Sequence, residues 1–262
     1  TLISTGDLCR LPKHAISARD DFHTVRSIHT PMHKLWRQLR YLLFLSSSLL
    51  VVVPGLAADT AQDFRIATEG YRYSFPRDHG AHEEFRTEWW YYTGQLTAKD
   101  GRPFGYELTF FRRGMPRDQT KTLPSQWAVT HLYLAHFAVS DLSKGRFHYV
   151  DKMSRAGLGK AGAAQDRLHV WIDHWSAESP SAAPNTQTLQ AAEGDLAIQL
   201  TASPEKPLVV HGTEGISHKG SAMGQASHYY SFTRLATTGT LTIGNESFDV
   251  TGTSWMDHEF GS

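Results

Sequence analysis

Two runs dense in aromatic and β-branched residues flank the dipeptide Asp100-Gly101: Trp89-Trp90-Tyr91-Tyr92-Thr93 before it, and Gly105-Tyr106-Glu107-Leu108-Thr109-Phe110-Phe111 after it. Residues of these types favour strands. In a strand Glu88, Trp90 and Tyr92 share one face, and Trp89 and Tyr91 share the other. Asp-Gly suits a two-residue type I′ turn. The spacing therefore predicts a hairpin in which Lys99 faces Arg102, Trp90 faces Phe111, Tyr91 faces Phe110 and Glu88 faces Arg113. Aromatic then meets aromatic, and acid meets base at the open end. Trp90, Tyr92 and Glu88 are candidate walls of an apolar pocket. The competing reading is plain core, with Glu88 paired to Arg113.

The chain beyond the hairpin carries the same signal. Strands are expected at 127–139, 146–152, 167–175, 189–201, 208–211, 228–235, 239–243, 247–252 and 253–260, with Gly244-Asn245 as a second two-residue turn. Helical periodicity is nearly absent. Residues 154–165, with three glycines, and 176–188, with Pro180 and Pro184, read as loops. Many short antiparallel strands make an all-β sandwich or barrel, and a wide barrel encloses a cavity.

The first 57 residues are compositionally foreign. The chain is neutral overall, with 26 basic and 26 acidic residues. Residues 1–57 hold 7 Lys+Arg and 3 Asp+Glu, a net of +4, and residues 58–262 hold 19 and 23, a net of −4. No strong field points to nucleic acid. From Met32, a basic start (Lys34, Arg37, Arg40) leads to an apolar stretch at 41–53, then Pro54 and the small residues Gly55 and Ala57. That layout predicts an export signal over 32–57, cleaved near Ala57. The apolar stretch is short of the ~20 residues a spanning helix needs, so membrane contact is expected only during export. Residues 1–31 read as a non-native upstream extension, and 58–262 as the folded part, about 205 residues. The one cysteine, Cys9, precedes it, so the mature chain has neither disulfide nor thiolate. A periplasmic or secreted location fits.

Chemistry-bearing motifs are sparse. His131 and His136 fall on opposite faces of one strand, and no His-x-His or HExxH occurs, so no metal site is expected. Gly252-Thr253-Ser254-Trp255-Met256 fails the G-x-S-x-G nucleophile pattern at its last position. Ser227, His228 and Asp257 are the residues from which a triad would have to be built. The densest patch is Trp255-Met256-Asp257-His258-Glu259-Phe260. As a strand it places Trp255, Asp257 and Glu259 on one face, expected to be the inward one, with His258 turned away. Buried carboxylates beside a tryptophan must be protonated or paired; the alternative is a solvated polar edge.

Five blocks, EFRTEWWYYTGQL, FGYELTFFR, YLAHFAVSD, ASHYYSFTRL and GTSWMDHEFGS, resemble in this order the secreted lipocalin-like proteins known as AttH-like or carotenoid-hydratase-like, often labelled predicted secreted hydrolases. The resemblance covers roughly 80–262. It implies two lipocalin-like β-domains packed together, so that this chain holds the N-terminal one and stops at the domain seam. Its partner would then be its own missing C-terminal lipocalin-like domain. The resemblance also implies a catalytic His-x-aromatic pair and an aromatic-x-Asp pair, which fall here on His228 and Tyr230 and on Trp255 and Asp257. Tyr230 stands where the carotenoid branch has Trp, and Trp255 where it has Tyr, which leaves the substrate open.

The expected chemistry is acid catalysis by Asp257, of hydratase type, on a hydrophobic isoprenoid- or lipid-like molecule. Tyr230 and Trp255 would offer π-faces to a cation. Trp90, Tyr92, Glu88 and Glu259 would line the substrate. Water addition of this kind needs no cofactor. A non-catalytic carrier of a hydrophobic ligand and a secreted hydrolase stand as alternatives.

Overall fold

The computed structural model of the protein describes residues 63–116, 129–222 and 224–262. Segments 1–31 and 32–57 and residue Trp127 lie outside these residues. Among these residues a single 3-10 turn, Arg77–His79, precedes thirteen strands. They are β1 (Thr87–Ala98), β2 (Pro103–Gly114), β3 (His131–Asp141), β4 (Arg146–Arg155), β5 (Ala161–Ala163), β6 (His169–Ile172), β7 (Trp175–Glu178), β8 (Gln187–Glu193), β9 (Leu196–Pro204), β10 (Val209–Val210), β11 (Ile216–His218), β12 (Ala226–Ile243) and β13 (Glu246–Gly261).

All belong to one antiparallel sheet ordered β4-β3-β2-β1-β13-β12-β9-β8-β7-β6-β5. Two meanders, β1–β4 and β5–β9, are joined by the long β12–β13 hairpin: β13 pairs with β1, and β12 with β9. The first half of β12 pairs instead with the short β10 and β11. The sheet curls until its ends approach. Phe137 of β3 meets Trp175 of β7 edge-on at 5.7 Å. Lys152 of β4 reaches Glu193 at 2.8 Å and lies over the Trp175 ring. The result is a nearly closed antiparallel barrel.

The first hairpin forms, one residue out of the expected register. Its loop has three residues, Lys99 to Gly101, because the Ala98 amide donates to the Arg102 carbonyl and Gly101 takes a φ of +86°. Three-residue loops with a left-handed third residue are the next commonest hairpin connection. Trp90 therefore faces Phe110, Tyr91 faces Thr109, and Glu88 faces Arg112 rather than Arg113. Gly244-Asn245 does form a two-residue turn, with Ile243 opposite Glu246. The expected strands 167–175 and 189–201 are each broken into two, by a turn at Asp173 (φ +52°) and by one at Gly194 (φ +57°).

Even-numbered residues of β1, β2 and β13 point inward, including Trp90, Tyr92, Phe104, Phe110, Val250, Met256 and His258. On β12 the inward parity changes. Phe232 pairs with Met256 and Leu235 with Ser254, so two β12 residues, Thr233 and Arg234, oppose Trp255 alone. This bulge keeps Tyr230 and Phe232 inside on one side of it and Leu235, Thr237 and Leu241 inside on the other.

Candidate functional site

β1, β2, β13 and the segment before β1 converge on a polar cluster inside the barrel. Glu88 and Arg112 are opposite each other and fully buried. The Arg112 Nε donates to Glu88 Oε2 at 2.9 Å, and its Nη2 donates to the carbonyls of His82 and Phe85. The other carboxylate oxygen, Oε1, meets His82 Nδ1 at 2.8 Å and His258 Nε2 at 2.9 Å. His82 Nε2 continues to Asp78 Oδ1 at 3.2 Å. Burial works against the charge of Glu88, yet the Arg112 guanidinium and the two imidazoles hold its carboxyl well below the usual range. Burial likewise opposes a charge on His82, but Asp78 and Glu88 outweigh it and raise the imidazole. His258, by contrast, is lowered by burial. Both His82 nitrogens face carboxylate oxygens, an arrangement that a doubly protonated ring satisfies, and Arg77 adds its charge to Asp78 at 2.9 Å.

His82, Glu88 and His258 also bring three donor atoms within 4.8 Å of one another, a set with metal-binding spacing that the sequence did not reveal. Strand pairing assembles it from residues 170 positions apart. A cation there would have to displace the His82 proton and sit beside Arg112, leaving buried positive charge in excess. The residues fit the proton better than the metal.

A second cluster lies across the sheet, on its outer face. Asp257 faces outward and is half-buried. Its Oδ1 accepts from Trp255 Nε1 at 2.6 Å, from Tyr229 Oη at 2.9 Å and from Ser231 Oγ. Ser231 Oγ lies 2.7 Å from His211 Nε2, and the His211 ring stacks on Tyr229 at 4.0 Å. Among the described residues, Oδ2 of Asp257 has no partner. Beside this group Glu259 accepts from Ser227 Oγ and pairs with Lys219 at 2.7 Å. Burial pushes the Tyr229 hydroxyl up to about 12, so it remains a donor near neutral pH.

These positions correct several expectations. Asp257, Trp255 and Glu259 are on the outer face, and it is His258 that faces inward, because β13 places its even positions in the barrel. His228 and Tyr230 are on the inner face, so the two pairs expected to act together are separated by the thickness of the sheet. Tyr230 joins the buried cluster, with its Oη 3.0 Å from His258 Nδ1. His228 lies at the barrel's end, among Tyr71, Phe85 and Phe260. Ser227, His228 and Asp257 form no triad: Ser227 is bound to Glu259, and His228 is on the other face. Trp90 and Tyr92 are 1% and 0% exposed, so no water-sized space adjoins them; they are packed core rather than pocket wall.

His211, Ser231, Tyr229 and Arg112 escaped sequence reasoning. Tyr229 and Ser231 alternate with the noted His228 and Tyr230, and the same period of two that excluded them from the inner face puts them together with Asp257. His211 had no such signal.

A comparison with curated proteins finds no match. Among solved structures, the barrel is similar to a putative AttH protein from Nitrosomonas europaea, at 33% identity and a TM-score of 0.67, over 76% of this chain and 58% of that one. It is also similar in fold to kievitone hydratase from Nectria haematococca, at 12% identity and a TM-score of 0.53, over 76% and 57% of the two chains. The chain thus spans less than two thirds of the length of either relative. The AttH-like family profile matches residues 66–262, and the chain belongs to the AttH-like family of lipocalin-fold proteins.

Proposed function

We propose that Asp257 carries out acid–base chemistry of hydratase type on an unsaturated, hydrophobic molecule at the outer face of β12, β13 and β1. The observation that carries this reading is the asymmetry of its carboxyl group: Oδ1 is held by three donors, while Oδ2 has no partner among the described residues. A carboxyl held by one oxygen and open at the other is preorganised for proton transfer. Protonated Oδ2 gives its proton to one alkene carbon, and the π pair becomes the new C–H bond. The adjacent carbon becomes cationic beside the rings of Trp255 and Tyr229. Water adds its lone pair there and returns a proton to Oδ2, so atoms and charge balance without a cofactor. The likeness to a protein named as a hydratase supports the same class.

Geometry favours this over hydrolysis. Among the described residues, Ser231 hydrogen-bonds a histidine, His211, but it is 0% exposed and its hydroxyl donates to Asp257. We further propose that the chain is exported by its 32–57 segment, and that a second lipocalin-like domain of the whole protein covers the outer face and dries the site. The whole protein, incubated with an isoprenoid alkene, should add one water by mass. Asp257→Asn should keep its circular dichroism and lose ~10²–10⁴-fold in rate. Splitting of an ester substrate instead, or retention of a ligand with no mass change, would replace the hydratase by a hydrolase or a carrier.

A further inference from the structure

At the end of the barrel, independently of Asp257, the turn at 69–70 borders an open cleft of about 320 Å³. Gly70 takes a φ of +85° in that turn. Arg65, Glu69, Tyr71, Arg72 and His228 are among the walls of the cleft. His228 is only 2% exposed. Its ring is enclosed by the rings of Tyr71 at 4.4 Å, Phe260 at 5.2 Å and Phe85 at 5.4 Å. No hydrogen bond reaches the imidazole from any described residue, and its Nδ1 is wholly buried. Aromatic faces give a ring nitrogen no oxygen to bond, and buried polar atoms are normally paired. With Nδ1 enclosed, Nε2 is the nitrogen left to meet a polar partner in the cleft.

Charge decides what that partner is. The Arg65 backbone is anchored, since it bridges Phe85 and its amide donates to the Glu84 carbonyl at 2.8 Å. Its guanidinium lies over the Phe85 ring at 5.4 Å, the same ring that His228 meets. The Arg65 ion pair with Glu84 is long, at 3.8 Å, and exposed, so it holds the guanidinium weakly. Arg72 and Glu69 are exposed, and neither forms an ion pair among the described residues. Two guanidiniums and one carboxylate leave the walls with one positive charge in excess. The imidazole registers that field: burial first, then His82 and Arg65, lower it to about 4 against the pull of Asp78. Surroundings that keep a proton off a ring favour an anion beside it. The arginine fork matches the two oxygens of a carboxylate. A single negative charge balances the walls, whereas a doubly charged phosphate overshoots and repels Glu69.

We infer that this cleft binds the carboxylate of a small organic acid, held by Arg65 and Arg72 and accepting a hydrogen bond from His228 Nε2. Nitrogen NMR of the 15N-histidine-labelled whole chain tests this, the His228 signals being assigned by their loss in His228→Phe. Sodium acetate should move the His228 resonances along a saturating curve, beyond the effect of sodium chloride at equal ionic strength. Acetamide, equal in shape but uncharged, should leave them in place. Arg65→Gln, at an exposed position, should weaken acetate ~3- to 10-fold, the value of one partly screened hydrogen-bonded charge. Glu69→Gln should tighten it. Equal responses to acetate and chloride would reduce the effect to screening and overturn the inference. So would equal responses to acetate and acetamide, or unchanged acetate affinity in a folded Arg65→Gln. Should Arg65→Gln fail to fold, the contrast of acetate with acetamide and chloride in the unaltered protein decides alone.

Discussion

Glu88 is held by an Arg112 side chain, two imidazoles and the His82 amide, all inside the barrel. Removing its charge strands Arg112 and the protonated His82 in a dry interior. Breaking a buried pair in this way costs ~3–5 kcal/mol, so Glu88→Gln should lower the urea midpoint sharply. Replacing the pair together, Glu88→Gln with Arg112→Met, should cost less than Arg112→Met and Glu88→Gln summed, which a double-mutant cycle on urea titrations would read. Additive losses would show that the two charges are not coupled. At this scale, the sequence singled out Glu88 as a candidate pocket residue and offered an arginine partner only as the competing reading. It named the neighbouring arginine, since Arg112 and Arg113 adjoin and only the register tells which is opposite.

That register was set by the turn, which is a property of the element. Asp100-Gly101 serves a two-residue and a three-residue loop equally well in composition; the longer one leaves Gly101 alone in the left-handed region. A one-residue slip exchanges all faces of a strand pair. The bulge in β12 has the same effect on a larger scale, and nothing in Phe232-Thr233-Arg234-Leu235 announces it. Deleting Arg234 should force Leu235, Thr237 and Leu241 outward and abolish folding, measured by loss of the cooperative thermal transition. Deleting one residue from the exposed loop at Ala182 should be tolerated. If both deletions melt alike, the bulge does not set the inner face. Inward and outward sets were otherwise legible on β1, where the alternation of Glu88, Trp90 and Tyr92 matches burial. On β13 the alternation was legible but its polarity was not, because both sets contain aromatic and ionisable residues. The deciding fact is that His258 finds Glu88 and Tyr230, whereas Asp257 finds Tyr229 and Ser231; both are long-range pairings. On β4, Phe147 and Met153 are 68% and 69% exposed, an apolar row on the sheet's outer face. Phe147→Lys with Met153→Lys should reduce binding of an apolar-surface dye and leave the melting temperature unchanged.

Over the described part of the molecule, burial disfavours charge on five histidines, while one is placed to hold it. Burial lowers His79 and His228 to about 4, and lowers His131, His169 and His258 as well. Among the described histidines, His82, between Asp78 and Glu88, goes the other way. The folded protein therefore binds fewer protons than the unfolded chain between about pH 4 and 6.5, where free histidine titrates. Stability contributed by the lowered histidines is complete above that window and is lost as pH falls through it. The His82 contribution has the opposite sign: it is present below pH ~6.5 and is lost as pH rises through its raised value. With five groups against one, acidification should dominate. Urea unfolding free energy should fall as pH drops from about 6.5 to 4.5, by at least one proton's worth, ~1.4 kcal/mol per pH unit. Below about 4.5 the paired carboxylates Asp78 and Glu88 add to the loss, so the test stays above it. His228→Phe isolates one contributor, because its ring already packs among Tyr71, Phe85 and Phe260 and phenylalanine fits those contacts. That variant should unfold with a shallower acid slope, by up to one proton, and with equal or greater stability at pH 5. An unchanged slope would mean that His228 is protonated in the folded chain, which would place it in contact with solvent instead of in the apolar end of the barrel.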